Sequence, residues 1–435
     1  TRRRFPTTSP NWSGHFGSRW TRMNLDDWLH RIENLHPRKW DLGLERVGEV
    51  GRRLDVLKPA PRVFLVAGTN GKGSACETID FLCRRAGLRT GKSVSPHLVR
   101  FNERIVVDGE PAGDDEICGA FEAIEAARGD TSLSYFEFGA LAAMYVFRSR
   151  RVEAAVLEIG LGGRLDAMNI VAPDVSIITR IALDHEAWLG SDREQIGAEK
   201  AGILRAGVPL VLSDRDPPAS VLARAQELGA PLYRIDEAFG RDASGYFMTR
   251  GNDCVRFDVA SEPALPLPSV VAGIQAVSLA DIEPGQEDIR MLVQDLTLAG
   301  RFQRLQGVRE TILDVAHNPD AAQHLAARMA PLAATRRVHA VFGMYADKDY
   351  KAVIGAMKPY VSRWYACQAD EPRALARDEL AACLSAIGGS VAGSYAKVSD
   401  AYDAALEHSE PGDLVLVFGS FPIVGGVLEH LGTRA

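Results

Sequence analysis

The chain has 435 residues, of which 46% are hydrophobic and 25% are charged, and its net charge is −7. These proportions are typical of soluble globular proteins, and the length predicts two large domains. The negative charge disfavours non-specific binding to nucleic acid, and no apolar run approaches the roughly 20 residues of a membrane span. No feature of the sequence signals oligomerisation, so we expect a monomer, and the cysteine pattern described next favours the cytoplasm.

The six cysteines form no CxxC pair and no Cys/His cluster with the spacing of a zinc site. This pattern predicts reduced thiols rather than disulfides or a structural metal. The cysteines are Cys76, Cys83, Cys118, Cys254, Cys367 and Cys383.

The first 22 residues contain five arginines and no acidic residue, and they show no clear periodicity. An organelle-targeting segment has a somewhat similar composition. Amphipathic sequence begins just after Met23, so we expect residues 1–22 to be an extension without ordered structure.

The first predicted strand, Val63–Ala67, precedes the glycine-rich segment 68–74, GTNGKGS, and a helix expected to start near Ala75. Glycines let backbone N–H groups turn toward phosphate oxygens, and a helix N-terminus adds partial positive charge. Lys72 supplies a point charge, and Ser74 supplies a hydroxyl for the magnesium of a nucleotide. The segment is not the strict GxxxxGK[ST] motif, and a glycine-rich turn with a surface lysine is the alternative. The strand–loop–helix context favours phosphate binding.

The second predicted strand, Ala154–Ile159, carries Glu158 near its end. Burying a carboxylate is costly unless it is paired or bound to a metal. Ligands collect at the carboxyl ends of parallel strands, so Glu158 is expected near the phosphate loop as a magnesium ligand. A solvated glutamate at a strand end is the alternative. The glycine-dense segment 160–166 that follows would let the backbone approach a ligand closely.

The third predicted strand, Val175–Ile181, precedes Asp184 and His185. A lone histidine is usually structural, but its place at the same sheet edge as Glu158 favours a metal ligand. Lys200, on its own, would be a solvated helix lysine. After a fourth strand, Val208–Leu212, a less regular region is predicted from about residue 230 to 284, because it contains three closely spaced prolines.

Alternation of strands and helices restarts in the second half, with strands at Thr311–Ala316, Val338–Phe342 and Leu414–Phe418 and a helix at Ala321–Met329. Apolar strands that alternate with helices predict parallel sheets covered on both faces. The predicted fold class is α/β: a P-loop-containing, mainly parallel ATPase domain over 23–297 and a smaller Rossmann-like domain over 298–435. Asp314 and His317 lie at a strand end, where ligand binding and turn formation are both open.

A series of ordered motifs resembles the folylpolyglutamate synthase branch of the Mur ligase family, from about Leu25 to Leu431. The motifs are DLGLERV (41–47), GTNGKGS (68–74), SPHL (95–98), YFEF (135–138), LEIGLGGRLDA (157–167), LDH (183–185), EKAGI (199–203), GRFQ (300–303) and DVAHNP (314–319).

The resemblance implies an ATP-dependent acid–amino-acid ligase that activates a carboxylate as an acyl phosphate and joins it to L-glutamate. It implies that the carboxylate belongs to dihydropteroate or to a reduced folate. The implied cofactors are ATP and two Mg²⁺ ions, and a monovalent cation is a further candidate.

The resemblance also implies roles for individual residues. The nucleotide would be bound by Gly68, Thr69, Asn70, Gly71, Lys72, Gly73, Ser74, Ser269, Arg301 and Asp314. The metal ions would be held by Ser74, Ser95, Glu158, His185 and a carbamylated Lys200. The residues implied in catalysis are Lys72, Glu158, His185, Lys200 and His317. The substrates would contact Asp41, Leu42, Gly43, Leu44, Ser134, Tyr135, Phe136, Glu137, Leu165, Asp166 and Ala167 on the pterin side, and His317 and Ser420 on the glutamate side.

Four residues depart from the family pattern. Met168 replaces a threonine, and Ser269 replaces an asparagine that usually contacts adenine, which puts that contact in doubt. Glu186 and Pro422 also differ.

Three other functions stay open at this point. The first is a monofunctional folylpolyglutamate synthase, against which the pterin-side motifs argue. The second is a cell-wall ligase of the Mur type, in which DLGLERV and YFEF would lack a purpose. The third belongs to another class, a P-loop ATPase whose hydrolysis drives a partner protein.

Overall fold

The computed structural model of the protein describes residues 23–36 and 42–432. The extension predicted over residues 1–22 lies outside the described residues, as does Asp41. Among the described residues, no helix is both long and apolar enough to cross a membrane.

The helices of the first half surround a large sheet and a small one. The helices are α1 (Leu25–Glu33), α2 (Glu45–Arg53), α3 (Lys72–Arg85), α4 (Asp114–Arg128), α5 (Tyr135–Arg150), α6 (Glu186–Leu189), α7 (Arg193–Ala201), α8 (Ala219–Glu227), α9 (Leu267–Ser278) and α10 (Gln286–Asp295). The strands are β1 (Arg62–Ala67), β2 (Thr90–Ser93), β3 (Ile105–Val107), β4 (Glu110–Pro111), β5 (Ala154–Glu158), β6 (Val175–Ile178), β7 (Leu210–Leu212), β8 (Leu232–Arg234), β9 (Gly240–Asp242), β10 (Gly245–Arg250) and β11 (Asp253–Phe257).

The large sheet has eight strands in the order β4-β3-β2-β5-β1-β6-β7-β8. From β2 to β8 the neighbouring strands are parallel, and β3 and β4 extend the edge in antiparallel pairing. Alternate residues of β1 point to opposite faces, so Leu65 joins a core with α4 and α5, whereas Phe64 joins a core with α3 and α9. Because β1 lies between β5 and β6, the loops after these three strands meet at one edge.

The second half is a six-stranded sheet in the order β12-β13-β17-β14-β15-β16, parallel except for the β12–β13 pair. Its strands are β12 (Gln303–Leu305), β13 (Glu310–Asp314), β14 (Val338–Phe342), β15 (Arg363–Cys367), β16 (Val391–Tyr395) and β17 (Leu414–Phe418). Its helices are α11 (Pro319–Ala333), α12 (Tyr350–Met357), α13 (Arg377–Ala386), α14 (Val398–Glu407) and α15 (Phe421–His430). Helices cover both faces of the sheet. The predicted domain boundary near Leu298 falls in the connection between α10 and β12 and stays a prediction.

Two details of the sequence-based expectation are wrong. Helix α3 begins at Lys72 rather than near Ala75, because Gly71 has a φ of +90° and its left-handed conformation starts the helix directly. The region from residue 230 to 284 is regular rather than irregular. It contains the antiparallel sheet β11-β10-β9 and helix α9, in which Pro266 is the N-cap residue and Pro268 lies in the first turn. The prolines begin a helix here and do not interrupt one.

Candidate active site

The segment after β1 has two parts, residues 68–70 and the first turn of α3, and their backbone N–H groups differ in their partners. The backbone N–H groups of Thr69 and Asn70 donate to the carbonyl oxygen of Arg180, at 2.7 and 3.3 Å. The N–H groups of the first turn of α3, which begins at Lys72, have no partner within the helix. The N–H groups at the start of α3 therefore remain available for a ligand. Thr69 and Asn70 instead hold the loop against Arg180, which follows β6.

Ser74 provides a direct test of whether this loop fits a nucleotide with its metal. Its side chain is 1% exposed, and its Oγ has no hydrogen-bond partner among the described residues. A buried hydroxyl without a partner is costly unless a ligand satisfies it. Together with the unpaired helix N–H groups and Lys72, this hydroxyl fits Mg²⁺-bound phosphate.

Glu158 lies at the carboxyl end of β5, directly beside the phosphate loop. Its Oε1 is 3.7 Å from Lys72 Nζ, and its Oε2 accepts a hydrogen bond from the N–H of Ser95 at 3.3 Å. Burial raises the pKa of the Glu158 carboxyl, an effect that the charges of Lys72 and Arg301 oppose. A carboxylate held in such a place is stabilised by a bound cation.

Lys200 reaches the same edge from α7. The ammonium of this buried lysine donates to the carbonyl oxygen of Gly68 at 2.8 Å. Burial, followed by the charge of Lys72, lowers the pKa of Lys200 to about 7. A large fraction of this amine is therefore neutral near pH 7, which is the nucleophilic form.

His185 stands beside the cavity in the left-handed conformation, with a φ of +53°, immediately before α6. Burial lowers the pKa of His185 to about 4. The imidazole is therefore neutral at pH 7, as metal coordination requires.

Arg301 and Asp314 come from the second half. The guanidinium of Arg301 lies 5.5 Å from the ring centre of Phe421, and it lowers the pKa of Asp314, which burial raises on balance. The Asp314 carboxylate accepts hydrogen bonds from the N–H groups of Phe302 and Ala316, both at 2.9 Å. This aspartate thus fixes the turn that presents Arg301, in addition to any contact with a nucleotide.

Asp184 joins the two halves. Its carboxylate pairs with Lys348 Nζ and lies 3.5 Å from His317 Nε2, and Asn318 Nδ2 donates to it at 3.4 Å. Burial disfavours the charged form, but hydrogen bonding and charge from His317, with the charges of His185 and Lys348, lower the pKa of Asp184 well below its usual value. The carboxylate therefore stays ionised and holds three residues of the second half.

A second contact between the halves starts from the phosphate loop itself. Asn70 Nδ2 donates to Asn318 Oδ1 at 3.0 Å and to Asp320 Oδ2 at 2.8 Å. Arg180 Nε donates to the other oxygen of Asp320 at 3.0 Å, and its Nη1 donates to Asp214 at 2.8 Å. The phosphate loop is thus tied to the first turn of α11.

These elements enclose a cavity of about 500 Å³ between the two sheets. Of the residues singled out from the sequence, it is lined by Gly68, Thr69, Asn70, Gly71, Lys72, Ser95, Tyr135, Phe136, Glu158, His185, Lys200, Arg301, His317 and Ser420. Ser420 is the N-cap residue of α15, and His317 Nδ1 contacts the carbonyl oxygen of Val315 at 2.9 Å. Ser269 is buried behind the loop, where a Cβ on Gly71 would come within 2.3 Å of its Oγ.

A smaller cavity lies alongside, and most of the predicted pterin-side residues meet there. Its lining includes Leu42, Gly43, Ser134, Phe136, Glu137, Leu165, Asp166 and Ala167. Phe136 borders both cavities, and Leu44 does not line either. The Asp166 carboxylate accepts hydrogen bonds from the N–H groups of Gly160, Leu161 and Met168, although burial raises its pKa to about 6. Asp166 therefore shapes the glycine-rich loop that forms the wall.

Sequence reasoning did not identify several residues of the large cavity. Lys348 and Tyr345 follow β14, a predicted strand, so their position after a strand end was an available signal. Arg373 follows β15, which was not predicted. His97 lies within the SPHL motif and Arg104 lies six residues after its end, but neither follows a predicted strand.

The described residues contain no group of three or more His, Cys, Asp or Glu side chains arranged to hold a metal ion. The set implied by the resemblance is not a group of this kind, because besides Ser74, Ser95 and a carbamylated Lys200 it contains one carboxylate, Glu158, and one histidine, His185. Mg²⁺ is commonly held by one or two carboxylates together with substrate phosphates rather than by an all-protein cage.

Comparison with known proteins places this site in a family. Residues 300–421 match the model of the Mur ligase glutamate ligase domain. The chain is 41% identical to Escherichia coli dihydrofolate synthase/folylpolyglutamate synthase over 94% of its own length and 96% of that protein.

Two crystal structures are similar throughout. Escherichia coli FolC in complex with DHPP and ADP is 40% identical, with a TM-score of 0.88 over 94% of this chain and 98% of that chain. The Yersinia pestis bifunctional folylpolyglutamate synthase/dihydrofolate synthase, complexed with AMPPNP and Mn ion, is 41% identical, with a TM-score of 0.87 over the same shares of the two chains. The protein therefore belongs to the dihydrofolate synthase/folylpolyglutamate synthase family of ATP-dependent Mur-type ligases.

Proposed function

We propose that this chain is an ATP-dependent ligase with two related activities. One joins L-glutamate to the carboxylate of dihydropteroate, and the other adds glutamate to reduced folates. The observation that carries the proposal is the large cavity, where the phosphate loop and Glu158 of one half face His317 and Ser420 of the other. The phosphorylated acid and the amino acid must lie close together before the amide bond can form, so both must bind in one cavity.

The first step transfers the γ-phosphoryl group of ATP to the substrate carboxylate, with release of ADP. The N–H groups at the start of α3 and the ammonium of Lys72 hold the phosphate oxygens and stabilise the charge that develops on them. Mg²⁺, when bound, supplies the remaining positive charge. Ser74, Ser95, Glu158 and His185 would hold the two ions.

Lys200 completes this ligand set if it carries a carbamate. Its neutral amine is the form that reacts with CO₂: the nitrogen bonds to the carbon and loses a proton. The product is an anionic oxygen donor, which suits a hard divalent ion better than an ammonium group does.

The second step forms the amide. The amine of L-glutamate attacks the acyl carbon and loses a proton, and phosphate leaves. Both ring nitrogens of His317 are engaged, one with Val315 and the other near Asp184, so this histidine shapes the wall that receives glutamate. The contacts of Asp184 and Asn70 hold the second half over the cavity and keep water from the acyl phosphate.

The residues around the small cavity match the predicted pterin side, and they favour the dihydropteroate activity. The cavity itself measures about 20 Å³, so Leu42, Phe136 and Leu165 would have to move apart to admit the pterin ring of dihydropteroate. A monofunctional folylpolyglutamate synthase is the second candidate, and we propose further that the enzyme acts as a monomer in the cytoplasm.

The test is turnover of ATP to ADP in the presence of Mg²⁺, with dihydropteroate and L-glutamate added singly and then together. We expect turnover to require both and to yield dihydrofolate. Turnover with a reduced folate plus glutamate, and none with dihydropteroate, would identify a monofunctional enzyme. Turnover indifferent to both substrates would favour a regulatory ATPase.

A further inference from the structure

Lys92 and Glu77 form a buried ion pair between strand β2 and helix α3. Lys92 Nζ donates to Glu77 Oε2, and the two side chains are only 9% and 14% exposed. Burial disfavours the charged form of Lys92, but the charges of Glu77 and Asp80 raise the pKa of Lys92 above its usual value. The ammonium therefore stays charged, and the reaction steps proposed for the large cavity use neither residue of the pair.

The pair lies directly behind the predicted metal ligands on both elements. Glu77 follows Ser74 by three residues in α3, so the two side chains lie on the same side of the helix. Lys92 precedes Ser95 by three residues along the chain. The ion pair thus joins the helix that carries one predicted ligand to the strand that leads to another.

The same ion pair lies close to Glu158. Lys92 is paired in register with Val156 of β5, and Glu158 is the next residue of β5 on that face of the sheet. Both groups influence the fully buried thiol of Cys76: burial and then the charge of Glu158 raise its pKa, while the charge of Lys92 opposes the rise. The ion pair and the predicted metal site therefore share one buried region between α3 and the sheet.

A second polar contact joins the same two elements further from the cavity. Thr90 Oγ1 donates to Asp80 Oδ1 at 2.6 Å, and Arg84 Nε donates to the other oxygen of Asp80 at 2.9 Å. Asp80 follows Glu77 by three residues, and Thr90 precedes Lys92 by two. Because hydrogen bonds are directional, these two contacts fix the place of α3 along β2 more strictly than apolar packing does.

The geometry of the metal site depends on where α3 lies along β2. The unpartnered hydroxyl of Ser74 is carried by α3, whereas Ser95 follows β2 and donates its backbone N–H to Glu158. If the helix slipped along the strand, the N–H groups that hold phosphate would move with it, but Ser74 would leave the other two ligands. Metal ligands keep their spacing only when the residues behind them hold them in place.

We infer that the ion pair of Lys92 with Glu77 positions helix α3 for the binding of Mg²⁺. It holds Ser74 at the place along β2 where its hydroxyl and Ser95 can bind the same ion. The inference rests on the proposed function and adds two positioning residues behind the metal ligands. A buried ion pair that served stability alone could be exchanged for apolar side chains, since such exchanges are often neutral or stabilising. Stability and metal binding can therefore be separated by experiment.

The test exchanges the pair for apolar residues in the full chain, Glu77→Leu together with Lys92→Met. Calorimetric titration with ADP gives its Kd in Mg²⁺ and again in EDTA. In Mg²⁺ we expect the Kd to rise about 10-fold, the lower end of the range for residues behind metal ligands, and in EDTA to change by less than about 2-fold. The Mg²⁺ concentration for half-maximal turnover should rise with the Kd, and the thermal midpoint should not fall.

Two further variants serve as controls. Lys92→Arg keeps the charge and a donor for Glu77, so the Kd for ADP in Mg²⁺ should stay within about 3-fold of that of the unmodified enzyme. Arg336→Met removes an ion pair with Glu310 at the amino end of β13, away from the cavity, and Glu310 keeps Arg304 as a partner. This variant should leave both ADP constants unchanged.

An unchanged Kd in Mg²⁺, or an equal rise with and without Mg²⁺, would overturn the inference. A lower thermal midpoint with an unchanged dependence on Mg²⁺ would make the pair purely structural and would overturn it as well. An equal rise in Lys92→Arg would show that the shape of the side chain, and not the ion pair, places the helix. Failure of the proposed function has a different signature, because the unmodified enzyme would then show no glutamate-dependent turnover while the ADP titrations still report on the metal.

Discussion

Two regions differ in what determines the pKa values of their buried charged groups. One is the phosphate end of the large cavity, and the other is the seam between the two halves, where Asp184 contacts Lys348, His317 and Asn318. At the phosphate end, burial dominates: it raises the pKa of Glu158 and lowers that of Lys200. At the seam, protein partners dominate, and they lower the pKa of Asp184. Where protein partners do not offset the cost of burying a charged group, a ligand is expected to bind. Where they do offset that cost, as at Asp184, the group holds the two halves together.

The largest expected effect comes from removing charge at the phosphate end. Glu158→Gln keeps the shape of the side chain but removes the anion that would hold metal, and we expect ATP-dependent amide formation to fall by about 10²–10³-fold. The thermal midpoint should not fall, because a buried carboxylate with a raised pKa gains little from ionisation in the free protein. Steady-state kinetics and calorimetry give the two readouts.

The exposed Glu110→Gln is the matched control for this variant. Retention of the full rate in Glu158→Gln would show that this carboxylate is not a metal ligand.

A smaller loss is expected at the seam. Asp184→Ala leaves Lys348 buried without a partner and loosens the closure, and truncation of one partner of a buried charge pair typically costs 2–5 kcal/mol. We expect a fall of about 30- to 100-fold in kcat/KM for glutamate and an increase in ATP hydrolysis without amide formation. The ratio of ADP to amide product measures this uncoupling, and a ratio that stays at one would argue against a sealing role.

The carbamate on Lys200 should produce a dependence on CO₂ and on pH. Since the pKa of Lys200 is about 7, the reactive neutral amine is abundant above pH 7 and disappears below it. In CO₂-depleted buffer we expect activity to fall several-fold, most steeply below pH 7, and bicarbonate to restore it.

A ¹³C carbamate signal that is absent from Lys200→Ala would identify the residue. Activity that does not respond to CO₂ in enzyme freed of carbamate by acid treatment would exclude the modification.

The smallest effect is expected at Asp320. Arg180 is 43% exposed at its side chain, so its ion pair with Asp320 is screened, and the coupling in a double-mutant cycle should be only about 0.5–1 kcal/mol. Asp320→Ala also removes one of the two acceptors for Asn70, so KM for ATP should rise about 2- to 5-fold. Arg180→Ala alone should raise KM for ATP less. An equal rise in the two variants would show that the hydrogen bond from Asn70 to Asp320 contributes nothing to ATP binding.

Seven of the strands were predictable because a parallel strand covered on both faces is a continuous apolar run. Val338–Phe342 and Leu414–Phe418 have the bounds predicted, and the others agree within a few residues. The short antiparallel strands β9–β11 were missed because each contains charged residues, and β9 and β10 also begin with glycine. The three closely spaced prolines predicted an irregular region. In the structure, Pro266 and Pro268 instead lie at the start of helix α9.

The candidate site likewise contains some residues that the sequence predicts and others that it does not. Residues at strand ends, such as Glu158 and Asp184, follow from the rule for α/β sheets. Arg104 and His97 line the large cavity but follow no predicted strand, so the same rule does not find them. The roles of the individual site residues stay predictions until they are tested.

The bond network around Asp320 bears on how this enzyme can be recombined with its relatives. Asn70 and Arg180 of the first half share one carboxylate at the start of α11, so the two halves are matched at that position as well as in overall shape. A chimaera that exchanges everything after residue 298 would preserve both sheets yet separate Asp320 from these two donors. Recombination boundaries should therefore follow this three-residue contact, and a transplanted second half needs an acid at position 320 to fit this phosphate loop.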